Sequence, residues 1–250
     1  MISSIQLDKE SVVVLYKGGR LPKWSSLTDK QQADYSKEHV DLMLSVAKKH
    51  GLKQLEGHKL LGPIGPWQRF WTIEFPTFEG AEEWISAEME PPYGRYGYYE
   101  YYFSRRITDE FLTIAPVDKA NSNPETVTTP TNNPILAPDY DSFIVICFER
   151  WLPGYDVIDP KERGDQDYHD LLKTVGSEYN LMRLDGYQLT EAQSEWHRVW
   201  ISEFPNIEGV KAWIDTGLQS PHNIYNSKQY YVANKWAPDY FTQWIPTNNS

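Results

Sequence analysis

The sequence predicts an α+β protein made of two tandem β-α-β-β-α-β units. Three observations carry this. The chain matches itself at a fixed offset, each copy shows the same order of strand-like and helix-like periodicities, and a stretch without any apolar period separates the copies. A chain of 250 residues is long enough for two small domains. The expected boundaries are 1–116 for the first unit, 117–141 for a Pro/Thr/Asn-rich linker and 142–250 for the second.

The self-match is densest in WQRFWTIEFPTFEGAEEWI (residues 67–85) laid without a gap over WHRVWISEFPNIEGVKAWI (residues 196–214). Ten positions are identical: Trp67/Trp196, Arg69/Arg198, Trp71/Trp200, Glu74/Glu203, Phe75/Phe204, Pro76/Pro205, Glu79/Glu208, Gly80/Gly209, Trp84/Trp213 and Ile85/Ile214. Ordinary residue frequencies would give about one. The same register pairs Asp41-Leu42 with Asp170-Leu171, Gly57 with Gly186, Pro92 with Pro221 and Tyr101-Tyr102 with Tyr230-Tyr231.

Each copy opens with a short β-branched and aromatic run, Val12–Lys17 or Phe143–Phe148, read as a strand. Both alternating faces of this run are apolar, so it needs a cover on each side. A helix follows. Ser26 or Thr28 can cap it in copy one, the stripe Tyr35, His39, Leu42, Met43, Val46, Ala47 has helical spacing, and Gly51 suits the C′ position. Copy two has Tyr168, Leu171, Leu172 and Val175, with Asn180 in the place of Gly51. Two strands come next, Gln54–Leu60 with Gln68–Phe75 and Arg183–Leu189 with His197–Phe204. Pro76 and Pro205 end the third strand. Thr77 or Asn206 then caps a second helix whose inner face is Ala81, Trp84, Ile85 or Val210, Trp213, Ile214. The last strand is Tyr98–Arg106 or Gln229–Lys235. This order is the ferredoxin-like split βαβ arrangement, with two helices on one face of a four-stranded antiparallel sheet. Two such units packing sheet to sheet would bury the second apolar face.

The junction TIEFPTFEGAEEWI, repeated as ISEFPNIEGVKAWI, resembles the corresponding segment of dimeric α+β barrel proteins and is most similar to their EthD-like and antibiotic-monooxygenase-like branches. The resemblance covers both copies, roughly four-fifths of the chain. It implies an intrachain barrel where members usually form homodimers. It also implies a choice among cofactor-free monooxygenases, polyketide cyclases, lactone isomerases, haem-dependent members and stress-response proteins. The site it implies is a cavity lined by aromatics, between a sheet and its helices or in the barrel lumen.

Composition narrows the classes. The formal net charge is −11 and no Lys/Arg cluster exceeds the pair Arg105-Arg106, which disfavours nucleic acid as a partner. No run of about 18 apolar residues and no secretory leader pattern is seen, so the expectation is a cytoplasmic protein, monomeric or homodimeric, without a membrane span. The single cysteine, Cys147 in FIVICF, reads as core. Ten Trp, seventeen Tyr and nine Phe suit two small cores or a pocket for a small hydrophobic molecule.

Positions that differ between the copies are the better site candidates. His58 (Tyr187 in the other copy), His197 (Gln68) and His222 (Tyr93) can move protons near neutral pH, and Arg105 (Asn234) can hold a developing oxyanion. The resemblance adds that some polyketide cyclases carry a functional His in the region of His222. Glu74, matched by Glu203, becomes a base if desolvated. Trp71, Trp200, Tyr102 and Tyr231 are expected to line the substrate pocket. His39, His50 and His169 are expected at the surface or rim. No HxH, HExxH or CxxC spacing occurs, so no metal site is expected; a haem would need His58 or His197 as axial ligand. The leading expectation is a cofactor-free enzyme of secondary metabolism, a cyclase, isomerase or monooxygenase acting on an aromatic or polyketide-like molecule. The alternatives are a non-catalytic binding or stress-related module and a haem-using member of the superfamily.

Overall fold

The computed structural model describes residues 6–108, 142–190 and 195–236, so the expected linker and the C-terminal tail lie outside the described residues. Copy one contains β1 (Val12–Arg20), α1 (Asp29–His50), β2 (Gln54–Ile64), β3 (Trp67–Phe75), α2 (Phe78–Glu88) and β4 (Gly97–Arg106). Copy two contains β5 (Phe143–Trp151), α3 (Asp165–Glu178), β6 (Arg183–Leu189), β7 (Arg198–Phe204), α4 (Ile207–Gly217) and β8 (Asn226–Lys235). A 3-10 turn, Tyr93–Tyr96 or His222–Tyr225, precedes the last strand of each.

In the first unit β1 pairs antiparallel with both β3 and β4, and β2 pairs with β3, giving the order β2-β3-β1-β4. In the second unit the same rule gives β6-β7-β5-β8. Two compact units result. One is built on Lys9–Arg105 and takes in Lys235 and Trp236. The other is built on residues 142–234 and takes in residues 6–8 and 106–108. In that second unit Ile107 donates its N–H to the Gly186 carbonyl, and Arg106 bonds Asp185 at 2.9 Å.

Local chemistry sets the helix limits. Thr28 and Gln31 form a reciprocal capping box that starts α1. Gly51 ends it at φ 64°, and Asn180 takes the same left-handed conformation, φ 54°, after α3. Thr77 accepts from the Gly80 N–H at 3.3 Å, and Asn206 from the Gly209 N–H at 2.9 Å. The repeated glycine of the E-G pair has a packing cause. A Cβ on Gly80 would lie 2.8 Å from the Phe75 ring, and one on Gly209 would lie 2.6 Å from the Phe204 ring. Each second helix therefore begins hard against the strand that precedes it.

The core of each unit lies between sheet and helices. Val12, Val14, Val40, Met43, Phe75 and Trp84 pack in the first; Val145, Leu172, Leu181, Phe204 and Trp213 pack in the second. Fully burying one such side chain stabilises by about 1.5–3 kcal/mol. Leu171 departs from the expected inner stripe: it is 41% exposed. Both faces of β1 and β5 are buried, as their uninterrupted apolar runs require. No described helix is long and apolar enough to cross a membrane.

Candidate functional site

Residue pairs separated by the repeat offset bring the chemistry together. In the first unit His39, on α1, stacks on Tyr93 with ring centroids 3.9 Å apart and planes 10° from parallel. In the second unit Tyr168, on α3, stacks on His222 at 4.0 Å and 9°. The two positions are equivalent under the 67/196 register, so imidazole and phenol have exchanged places between the copies. His39 was expected at the surface and is instead 4% exposed. The helix stripe that contains Tyr35, His39 and Met43 turns it inward.

A carboxylate accompanies each imidazole. His39 Nε2 lies 3.4 Å from Glu88, at the end of α2, and His39 Nδ1 is buried without a hydrogen-bond partner. His222 Nδ1 lies 3.4 Å from Asp165. Burial first, and then the Lys228 charge, lower the pKa of His222.

The surroundings of the two stacks differ. In the first unit a cavity of about 20 Å³ lies beside His39, walled by Tyr16, Arg20, Arg69, Trp71, Glu88 and Tyr93 among others. Arg20 lies 3.8 Å from the Tyr93 ring centroid, and Arg69 lies 4.1 Å from that of Trp236. Tyr16, Tyr99 and Tyr101 stack along the sheet beside it. Burial, then Glu88, push the Tyr16 hydroxyl well above its ordinary pKa. In the second unit Lys228 and Glu149 stand across from each other where the first unit has Tyr99 and Gly18. Lys228 donates to the Tyr168 hydroxyl at 2.8 Å and lies 3.8 Å from Glu149, which accepts from Trp200 Nε1 at 2.8 Å. Burial opposes the Glu149 charge, but Lys228, Arg198 and the Trp200 bond outweigh it and hold its pKa below the usual range.

The sequence-predicted residues are placed as follows. His58 is fully buried on β2, on the sheet face away from the helices, 3.8 Å from Glu56 and with its ring 6.2 Å from Phe70. His197 precedes β7, and its Nδ1 accepts from the Trp151 N–H at 3.1 Å. That bond puts the proton of the neutral ring on Nε2, so neither nitrogen offers a lone pair to a metal. Arg105 ties down the segment before β1, bonding the carbonyls of Lys9 and Ser11. Glu74 is buried at the end of β3, and its counterpart Glu203 accepts from Ser142 Oγ at 2.7 Å. Tyr102 joins Lys17 and Glu100 in a polar cluster on the face away from the helices. Tyr231 packs on Phe148 at 6.1 Å. Trp71 lines the cavity, and Trp200 serves Glu149. The structure thus brings Trp71 to the candidate pocket, together with His39, Glu88, Arg20 and Tyr93, which residue-by-residue reading passed over. The signal was available: His39 pairs with Tyr168, and His222 with Tyr93, at one offset.

No family model matches this sequence, and no curated protein matches it. Solved structures do. A variant of chlorite dismutase from Candidatus Nitrospira defluvii is similar over 94% of this chain and 95% of its own, with a TM-score of 0.68 at 10% identity. The same organism's chlorite dismutase in complex with imidazole gives 0.66 at 11% identity over 94% and 95%. A haem-binding protein from Thermus thermophilus gives 0.64 at 11% identity over 96% of each chain. This likeness shows the fold. The chain has the α+β architecture of the dimeric α+β barrel class, with two ferredoxin-like units in tandem, as the sequence predicts. Nothing in the likeness singles out the EthD-like or antibiotic-monooxygenase-like branches. It also corrects the leading functional expectation: the similar structures are chlorite dismutases and a haem-binding protein, not cofactor-independent enzymes of secondary metabolism.

The donor chemistry of the first unit fits a haem. A buried imidazole with one unsatisfied nitrogen and a carboxylate at the other is the arrangement of a metal-ligating histidine with its outer-shell partner. Arg20 and Arg69 can bind carboxylates. The space is small: about 20 Å³ holds one water, against roughly 300–1,000 Å³ for a ligand site.

Proposed function

We propose that this chain is a haem-binding protein and that its site lies between the sheet and the helices of the first unit. The observation that carries the reading is the orphaned Nδ1 of buried His39, with Glu88 behind the ring. In this reading His39 would hold the iron through its imidazole and Glu88 would accept the Nε2 proton, fixing the tautomer and raising the basicity of the ring. Arg20 and Arg69 would hold the carboxylates of the group, and Tyr93 would keep the imidazole plane in place. The group, when bound, supplies redox-active iron. The likeness to chlorite dismutases and to a haem-binding protein supports the choice of group.

The test is titration of the purified protein with haem. A Soret band that saturates with the protein, and is lost in His39→Ala, supports the reading. Protein that stays colourless after reconstitution refutes it. The small cavity favours one second reading, a pocket that binds a small molecule without a prosthetic group. That reading stands if haem fails while a small ligand shifts the thermal midpoint of the wild type and not of His39→Ala.

A further inference from the structure

The two units differ at the same places, and the differences are complementary. Tyr99 lies across from Gly18 on β4 and β1 in the first unit; Lys228 lies across from Glu149 on β8 and β5 in the second. Glu88 ends α2, whereas Gly217 ends α4 at the equivalent position. The carboxylate has therefore moved from the helix to the strand, and a lysine has joined it. Lys228 is 4% exposed, lies 4.3 Å from the Tyr168 ring centroid and reaches the Gly217 carbonyl at 3.4 Å as well as the Tyr168 hydroxyl. A Cβ at Gly217 would meet the Tyr230 hydroxyl at 1.8 Å, so this side of the space is closed too.

We infer that ligand binding is confined to the first unit and that Lys228 is the residue that keeps the equivalent space of the second unit shut. This rests on the haem reading above. An occupant of the second space would have to separate Lys228 from Tyr168 and Glu149 and leave charges buried without partners. The Lys228 charge also acts on the His222 ring and repels a cation there.

Two measurements test this. Stoichiometry comes first, read from the Soret absorbance and from extracted haem. One equivalent per chain, lost in His39→Ala and kept in His222→Ala, is expected. Two equivalents, or one equivalent lost in His222→Ala and kept in His39→Ala, would overturn the inference while leaving haem binding itself intact. No binding at all would remove the haem reading and this inference with it. The second measurement copies the blocking residue into the first unit. Tyr99→Lys is expected to weaken binding at least tenfold, and Tyr99→Phe to leave it within twofold. Unchanged affinity in Tyr99→Lys would overturn the role given to Lys228.

Discussion

The face of the first sheet away from the helices holds an ion pair for which the second unit has an apolar counterpart. Lys17 Nζ lies 2.8 Å from Glu100 and 3.1 Å from the Tyr102 hydroxyl, and 4.8 Å from the Trp67 ring centroid. In the second unit Phe148 and Gln229 stand at the places of Lys17 and Glu100, and Phe148 packs on Trp196 and Tyr231 at 5.9 and 6.1 Å. The protein thus contains two solutions to one packing problem. Breaking a fully buried pair from one side costs about 3–5 kcal/mol. The Lys17 side chain is 8% exposed but Glu100 is 35% exposed, so solvent screening reduces the expected loss in Lys17→Phe to about 2 kcal/mol. In a chain of this size that is a fall of roughly 4–8 °C in the thermal midpoint. The double change Lys17→Phe with Glu100→Gln is expected to return to within about 1 kcal/mol of the wild type, because no charge is left unpaired. Chemical denaturation of wild type, singles and double closes the cycle. A double variant as unstable as the sum of the singles would refute the reasoning, since it would show that the pair is not an isolated element.

Other expectations follow from the same geometry. Glu100 is opposed by burial, but its bonds from Lys17, Tyr102 and Tyr98 outweigh this and lower its pKa, so its stabilisation is full above the ordinary carboxylate range and is lost as pH falls through the lower folded value; Glu100→Gln should flatten that acid limb in a pH series of unfolding curves. The lowered pKa of His222 acts in a higher window: stability should fall as pH drops from about 6.5 towards the folded value, and His222→Tyr should remove that slope, whereas an unaltered slope would assign it elsewhere. Burial, then the Glu149 charge, push the Cys147 thiol up to about 12, so the native protein should react with a maleimide at pH 8 at least a hundredfold more slowly than the unfolded chain. Thr28→Ala removes the capping box of α1 and should cost about 1 kcal/mol in urea unfolding, and an unchanged midpoint would refute that role for the cap.

Much of the fold was legible because its determinants are local and occur twice. Thr28, Thr77 and Asn206 announce their helices through a single hydroxyl or amide, and Gly80 and Gly209 mark the place where a helix meets an aromatic ring. Strand β2 ran further than its apolar pattern, to Ile64 rather than Leu60, because the register shift after Lys59 lets exposed residues continue the hairpin. The candidate site was less legible. Its pieces are distant in sequence, His39 with Glu88 and Tyr93, and each taken alone looks like an ordinary helix or turn residue. Differences between the copies favoured His58, His197 and His222; packing engages His58 and a backbone hydrogen bond engages His197 in other ways. The pairing of His222 with Tyr93 was visible there, but its complement, His39 with Tyr168, stacks on it only in the fold. Tertiary closeness then turns that exchange into a site.

The claim on which the account depends is that His39 is a ligand-bearing imidazole. Reconstitution with haem, followed by absorbance and resonance Raman spectra of wild type and His39→Ala, tests it most directly. The account predicts a Soret band with one equivalent of haem per chain and an iron–imidazole signature in the wild type, both absent in His39→Ala while the variant keeps a cooperative unfolding transition. An identical spectrum in His39→Ala, or a wild type that binds no haem, would contradict it.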